Sequence, residues 1–130
     1  MHTYLLIIKI NDEHRIKIGS LGSIYFRKGY YLYIGSAKRG LMNRIDRHLK
    51  SSKRLHWHID YLTTSYRPIK VFLSEIDECT IASMLNANYI NRFGSSDCKC
   101  NSHLFYFRSL RECIREIQRF NCHKFDILTY

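Results

Sequence analysis

At 130 residues, with 45% hydrophobic and 14% aromatic content, the chain is long enough to bury about two-thirds of its unfolded surface in one core, which excludes a disordered segment. Twenty-one Lys and Arg against 11 Asp and Glu give a net charge of +10, and seven of those cations fall between Lys38 and Arg54 beside the single acid Asp46, so a polyanionic partner is favoured. The longest apolar run, Tyr4 to Ile8, is too short to span a bilayer, no signal peptide precedes it, and the odd set Cys79, Cys98, Cys100, Cys113 and Cys122 has no regular framework; a cytosolic chain with reduced thiols is expected.

Residues 3–10 read as a strongly apolar first strand. The turn-forming Asn11 to His14 leads into residues 15–18, where Ile16 and Ile18 alternate with charge, so a β-hairpin is expected there. Gly19, Ser20 and Gly22 permit a turn, and residues 24–26 run through Lys28 and Gly29 into the aromatic run Tyr30 to Ile34, a second expected hairpin. Gly35, Ser36 and Gly40 end that strand. In the helix that follows, Leu41, Met42, Ile45 and Leu49 face a core while Arg44 and His48 lie one turn apart along the border of the apolar stripe.

His56-Trp57-His58-Ile59-Asp60-Tyr61-Leu62 reads as a short helix or turn, and residues 69–74 alternate like a strand. Asp77 is a candidate N-cap for a helix over about 78–92 with Ile81, Met84, Leu85 and Asn88 on one face and Gly94 beyond its end. Residues 94–100 form a polar loop, residues 103–107 an edge strand, and Ser109 with Glu112 a capping box that opens a last helix over about 110–120. The stretch after Asn121 carries no clear signal. One domain over residues 1–130 is expected, α+β, with a small antiparallel β-sheet flanked by helices.

Tyr33-Ile34-Gly35, followed by Arg44 and His48 on the next helix, resembles the second half of the GIY-YIG nuclease motif, and Tyr4 in His2-Thr3-Tyr4 matches the tyrosine of its first half. The glycine and isoleucine of that first half are absent, and the tyrosines lie farther apart than in the family, which implies an extra hairpin over residues 15–27. GYYLYIGSA, RxxRHL, HWHIDYL, FGSSDC and SHLFY together resemble a small, mainly archaeal GIY-YIG subfamily of unassigned role, sometimes fused to endonuclease III, over about residues 3–107.

The resemblance implies a metal-dependent, structure-selective DNA endonuclease connected with repair. Tyr4 and Tyr33 would be the motif tyrosines, one taking the proton of the attacking water, Arg44 the stabiliser of developing charge, and His48 a histidine present in some branches. In the family a glutamate on a later helix holds one Mg²⁺ or Mn²⁺, but the corresponding frame here is Ala82, Asn86 and Ile90, and a carboxamide brings no charge. Glu78, Asp60 and Asp97 are the acids at hand. The departure leaves a second reading open, a non-catalytic nucleic-acid-binding module that has lost turnover.

Other groups extend the site. Gly35 and Ser36 with Lys38, Arg39, Arg47, Lys50, Lys53 and Arg54 are candidate phosphate contacts, with DNA favoured over RNA and no membrane or protein partner indicated. His56 and His58 would fall on one side of an extended segment, as phosphate contacts or a catalytic acid, and His58 is a further catalytic candidate. Cys98, Cys100 and His103, with Cys79 as a fourth ligand, resemble a structural zinc site in residue types. Their spacing lacks the paired CxxC that marks such sites, so packed or redox-active thiols are the favoured reading.

Overall fold

The computed structural model describes residues 1–127. Its centre is an antiparallel six-stranded sheet in the order β6-β7-β4-β1-β5-β8, built from β1 (Thr3–Ile10), β4 (Gly29–Ser36), β5 (Lys70–Ser74), β6 (Asn88–Tyr89), β7 (Leu104–Phe107) and β8 (His123–Phe125). The expected α+β class is borne out. β1 reads as an unbroken apolar run because both of its faces are covered. Tyr4, Leu6, Ile8 and Ile10 enter one core with Tyr31, Tyr33, Ile45 and Leu62, while Leu5 and Ile7 enter a second with Leu32, Ile34, Ile81 and Cys113. Each fully buried Leu or Ile of this strand contributes about 1.5–3 kcal/mol, which is why β1 holds the middle of the sheet.

Helices α1 (Leu41–Leu49) and α2 (Asp60–Thr63) serve the first core, α3 (Glu78–Met84) and α4 (Leu110–Ile117) the second. Asp77 caps α3 by accepting from the backbone N–H groups of Cys79 and Thr80, and Ser109 caps α4 through Glu112. Among the described residues no helix is long and apolar enough to cross a membrane.

Several sequence expectations are corrected. β2 (His14–Lys17) pairs with β3 (Ser23–Phe26) as a separate two-stranded ribbon, so neither a β1–β2 nor a β3–β4 hairpin forms; β1 runs antiparallel to β4 instead. That ribbon is the hairpin that the long tyrosine spacing implied. The helix expected over 78–92 stops at Met84, Leu85 turns extended at ψ 130, and Asn88 and Tyr89 pair with Tyr106 and Phe105 as β6. Strand β7 is therefore interior to the sheet, with β6 outside it, not the edge strand expected. β8 falls where no signal was read, pairing Phe125 with Val71 on β5.

Candidate active site and thiol cluster

Register brings the two motif tyrosines together. Tyr4 on β1 stands directly opposite Gly35 on β4, and its phenol lies across the glycine where any β-carbon would collide with the ring. Gly40, at φ 65, then turns the chain into α1, and its carbonyl accepts the Arg44 N–H as the first helical bond. α1 turns His48 inward, and His48 Nε2 meets the Tyr4 hydroxyl at 2.7 Å. Tyr4 is 1% exposed and His48 fully buried. Tyr33 packs against both, with ring centroids 6.3 Å from Tyr4 and 6.2 Å from His48, and closes on Phe93.

Arg44 stands at the border of this group. One guanidinium nitrogen donates to the Ser36 carbonyl at 3.2 Å, and the plane lies 4.2 Å from the Trp57 ring centroid. Beyond it Ser36 Oγ donates to Glu78 Oε1 at 2.9 Å, which sets the first acid of α3 beside the end of β4. Tyr4, Tyr33, Arg44 and His48 thus converge with Gly35 and Ser36, and Glu78 adjoins them.

Burial governs the charge states. Desolvation drives the Tyr4 phenol well above its ordinary pKa against a partial opposing pull from Arg44, and drives Tyr33 up likewise. His48 is lowered to about 3, first by desolvation and then by the Lys53 charge, so its imidazole is neutral at physiological pH. Among the described residues its Nδ1 has no hydrogen-bond partner.

Other candidates have different employment. Asp60 is fully buried and takes four donors: both Arg47 guanidinium nitrogens, at 2.6 and 2.9 Å, and the backbone N–H groups of His56 and Trp57. These bonds hold its carboxyl below the usual range although burial opposes them, and they leave neither Asp60 free for a metal nor Arg47 free for phosphate. Arg47 also packs 4.6 Å from the Trp57 centroid, so two guanidinium groups lie over the one tryptophan ring, a platform role that sequence reading missed. Lys53 Nζ donates to the carbonyls of Arg47 and His48 and to Thr63 Oγ1, closing the C-terminus of α1; desolvation lowers its pKa to about 8.

His58 Nδ1 accepts the Gly94 N–H at 2.9 Å and its ring packs on Phe93, whereas His56 is exposed; the two do not present a common face. Asn86 is exposed beyond the end of α3, its N–H given to Glu116, so it does not occupy a helical ligand position two turns from Glu78. Asp97 is exposed on the polar loop. Lys38, Arg39, Lys50 and Arg54 are exposed, with Lys50 3.1 Å from Asp46.

A second constellation lies on the far side of Glu78. Cys79 in the first turn of α3 meets Cys98, Cys100 and His103 from the loop before β7, with all four ligand atoms within 4.8 Å of one another; the group could hold a metal ion. These are the four residues that the sequence offered as a zinc-like set and then disfavoured for want of a paired CxxC; the fold brings Cys79 to the others although it lies far from them along the chain.

Neither the curated proteins nor the solved structures compared give a match. The sequence model of the family described as "Domain of unknown function DUF123" matches residues 3–124, from the first residue of β1 into β8, and the chain belongs to that family.

Proposed function

We propose that the protein is a metal-dependent DNA endonuclease of the GIY-YIG type that hydrolyses phosphodiester bonds, selects its substrate by structure and serves repair. The observation that carries this reading is the 2.7 Å bond between the Tyr4 hydroxyl and His48 Nε2 beneath Arg44, made by residues 44 positions apart. A buried phenol and a neutral imidazole in contact are a costly arrangement for packing alone, since among the described residues the His48 Nδ1 has no partner.

A phenol so desolvated does not ionise by itself near neutral pH. The Tyr4 oxygen therefore accepts a hydrogen bond from the attacking water while its own proton stays in the bond to the neutral His48 Nε2, so the pair orients the water, whose proton passes to solvent as it attacks. Water oxygen bonds to phosphorus, the bond to the leaving oxygen breaks with its electron pair, and that oxygen is protonated from solvent. Arg44 releases the Ser36 carbonyl to lie on the phosphoryl oxygens, which also uncovers Tyr4. Of the acids considered, Glu78 fits a divalent cation: it is partly exposed and neighbours Ser36, while Asp60 is already paired. Mg²⁺ or Mn²⁺ held there with water and phosphate oxygens would stabilise charge on the leaving oxygen.

The near-complete burial of Tyr4 is the observation that favours the second reading, a binding module without turnover. One assay separates them: flap, fork, bubble and duplex DNA, and RNA, with Mg²⁺, Mn²⁺ or EDTA. Branched DNA is expected to be cut with metal and spared in EDTA. Arg44→Ala should slow cleavage by roughly a hundredfold or more while weakening binding far less, and Tyr4→Phe should act similarly. DNA binding without cleavage of any substrate under any metal would establish the binding module instead.

A further inference from the structure

The loop between Phe93 and His103 contains Gly94, Ser95, Ser96, Asp97, Lys99, Asn101 and Ser102 besides its two cysteines, so it brings no large apolar side chain to a core. Its neck is closed by the backbone bonds of Arg92 N–H to Asn101 oxygen and His103 N–H to Phe93 oxygen, and Ile34 N–H donates to the His103 carbonyl, tying the neck to β4 next to Gly35. Polar chain of this length costs about 1–2 kcal/mol per residue to fix, and apart from Cys100, which packs against the second core, the loop has little apolar contact to offset that. A cross-link would offset it.

The histidine shows what kind. His103 is 2% exposed, its Nε2 lies 3.1 Å from Cys98 Sγ, and its Nδ1 has no hydrogen-bond partner among the described residues, with Glu78 Oε2 at 3.8 Å. One ring nitrogen thus faces the thiols and the other a carboxylate, the arrangement by which an outer carboxylate fixes the tautomer of a metal-bound histidine. Three sulfurs and one imidazole nitrogen form the donor set of a closed tetrahedral zinc site, with Zn–S near 2.3 Å and Zn–N near 2.0–2.1 Å. Thiolates discriminate against Mg²⁺, which takes oxygen ligands. Cys98 and Cys100 also border a groove of about 710 Å³ with His58, Arg92, Ser95 and Asn101, which gives an ion a way in.

We propose that Cys79, Cys98, Cys100 and His103 bind one zinc ion that pins the loop to α3, and that Glu78 orients His103 through Oε2 while Oε1 engages Ser36. Zinc binding stands apart from the hydrolytic reading; only the consequence that zinc fixes the acid of the Tyr4 centre rests on it. Glu78 is then a positioning residue for the zinc site.

Protein purified without chelator should carry about one zinc per chain by elemental analysis. Reconstitution of the reduced apoprotein with Co²⁺ should give the intense visible bands of a tetrahedral ion and thiolate-to-cobalt charge transfer. Cys98→Ser and Cys100→Ser should lose the ion, Cys122→Ser should keep it, and Glu78→Gln should weaken zinc 10–100-fold against a competing chelator. Because a cysteine variant can fail by unfolding, the wild-type cobalt spectrum decides: an octahedral spectrum, or none, overturns the site. A disulfide among the three cysteines in protein kept under reductant overturns it too, and unchanged zinc affinity in Glu78→Gln overturns the orienting role. A chain that binds one zinc but cuts no nucleic acid supports the site and sinks the nuclease, whereas an active chain without the thiolate bands does the reverse.

Discussion

The buried Tyr4–His48 hydrogen bond ties the stability of the fold to pH. His48 is neutral in the fold and its pKa is lowered to about 3, while the unfolded chain binds a proton near the ordinary 6.5. Between these values the unfolded state holds more protons, so stability rises with pH and falls on acidification through the window. Replacing His48 by Gln should flatten this dependence by up to one proton, about 1.4 kcal/mol per pH unit, as read from urea midpoints taken between pH 7 and pH 4. His58 and His103, also lowered by burial, leave a residual slope of the same sign. If the slope is the same in wild type and variant, His48 is not desolvated as described. At this scale the helix period made Arg44 and His48 legible as one border, and the resemblance supplied Tyr4. What the sequence could not disclose is that Arg47 and Asp60, named for phosphate and for metal, are spent on each other; an ion pair across an irregular loop leaves no period to read.

The elements around the site are held by polar locks at their ends. Asp60 gathers Arg47 and the N–H groups of His56 and Trp57, so one carboxylate fixes α1, the loop after it and the first turn of α2. Asp60→Asn keeps the shape but leaves the Arg47 charge without its counterpart, and breaking such a pair costs about 3–5 kcal/mol. The expected outcome is a large drop in melting temperature accompanied by loss of the Arg44–Trp57 stacking, visible as altered tryptophan fluorescence. A melting temperature close to that of wild type would mean the carboxylate is not a lock. Legibility at this scale followed local signal. Capped helices α3 and α4 began where Asp77 and Ser109 marked them, but α3 ended early because the edge pairing of Tyr89 with Phe105 outcompeted helical continuation. The hairpins were misassigned because adjacency in sequence favours neighbouring strands, whereas the β2–β3 ribbon pairs with itself and lets β1 meet β4 across 18 intervening residues, 11 to 28.

For the whole molecule, the cations around α1 divide into two kinds, those bound into the fold and those left exposed. Arg47 and Lys53 belong to the architecture of α1, so they contribute to the net +10 without being available to a ligand. The exposed cations of the same region are Lys38 and Arg39 before α1, Lys50 at its end and Arg54 beyond it. The cluster was legible from charge density; its division into structural and available members was not, because it depends on which acids and carbonyls the fold brings near. If DNA is the partner, these four should set a sequence-tolerant affinity that falls steeply with salt. Each phosphate neutralised by a side chain contributes roughly 0.9 to the slope of log affinity against log salt on duplex DNA. Replacing Lys38, Arg39, Lys50 and Arg54 together by alanine should flatten that slope by about 0.9 for every phosphate left without its cation. The melting temperature should stay nearly unchanged, since exposed charges and a surface pair such as Lys50–Asp46 contribute little to folding. Fluorescence anisotropy over a series of salt concentrations measures both affinity and slope. Equal values in wild type and the fourfold variant would remove this surface as the contact for nucleic acid, whatever the Tyr4 site does.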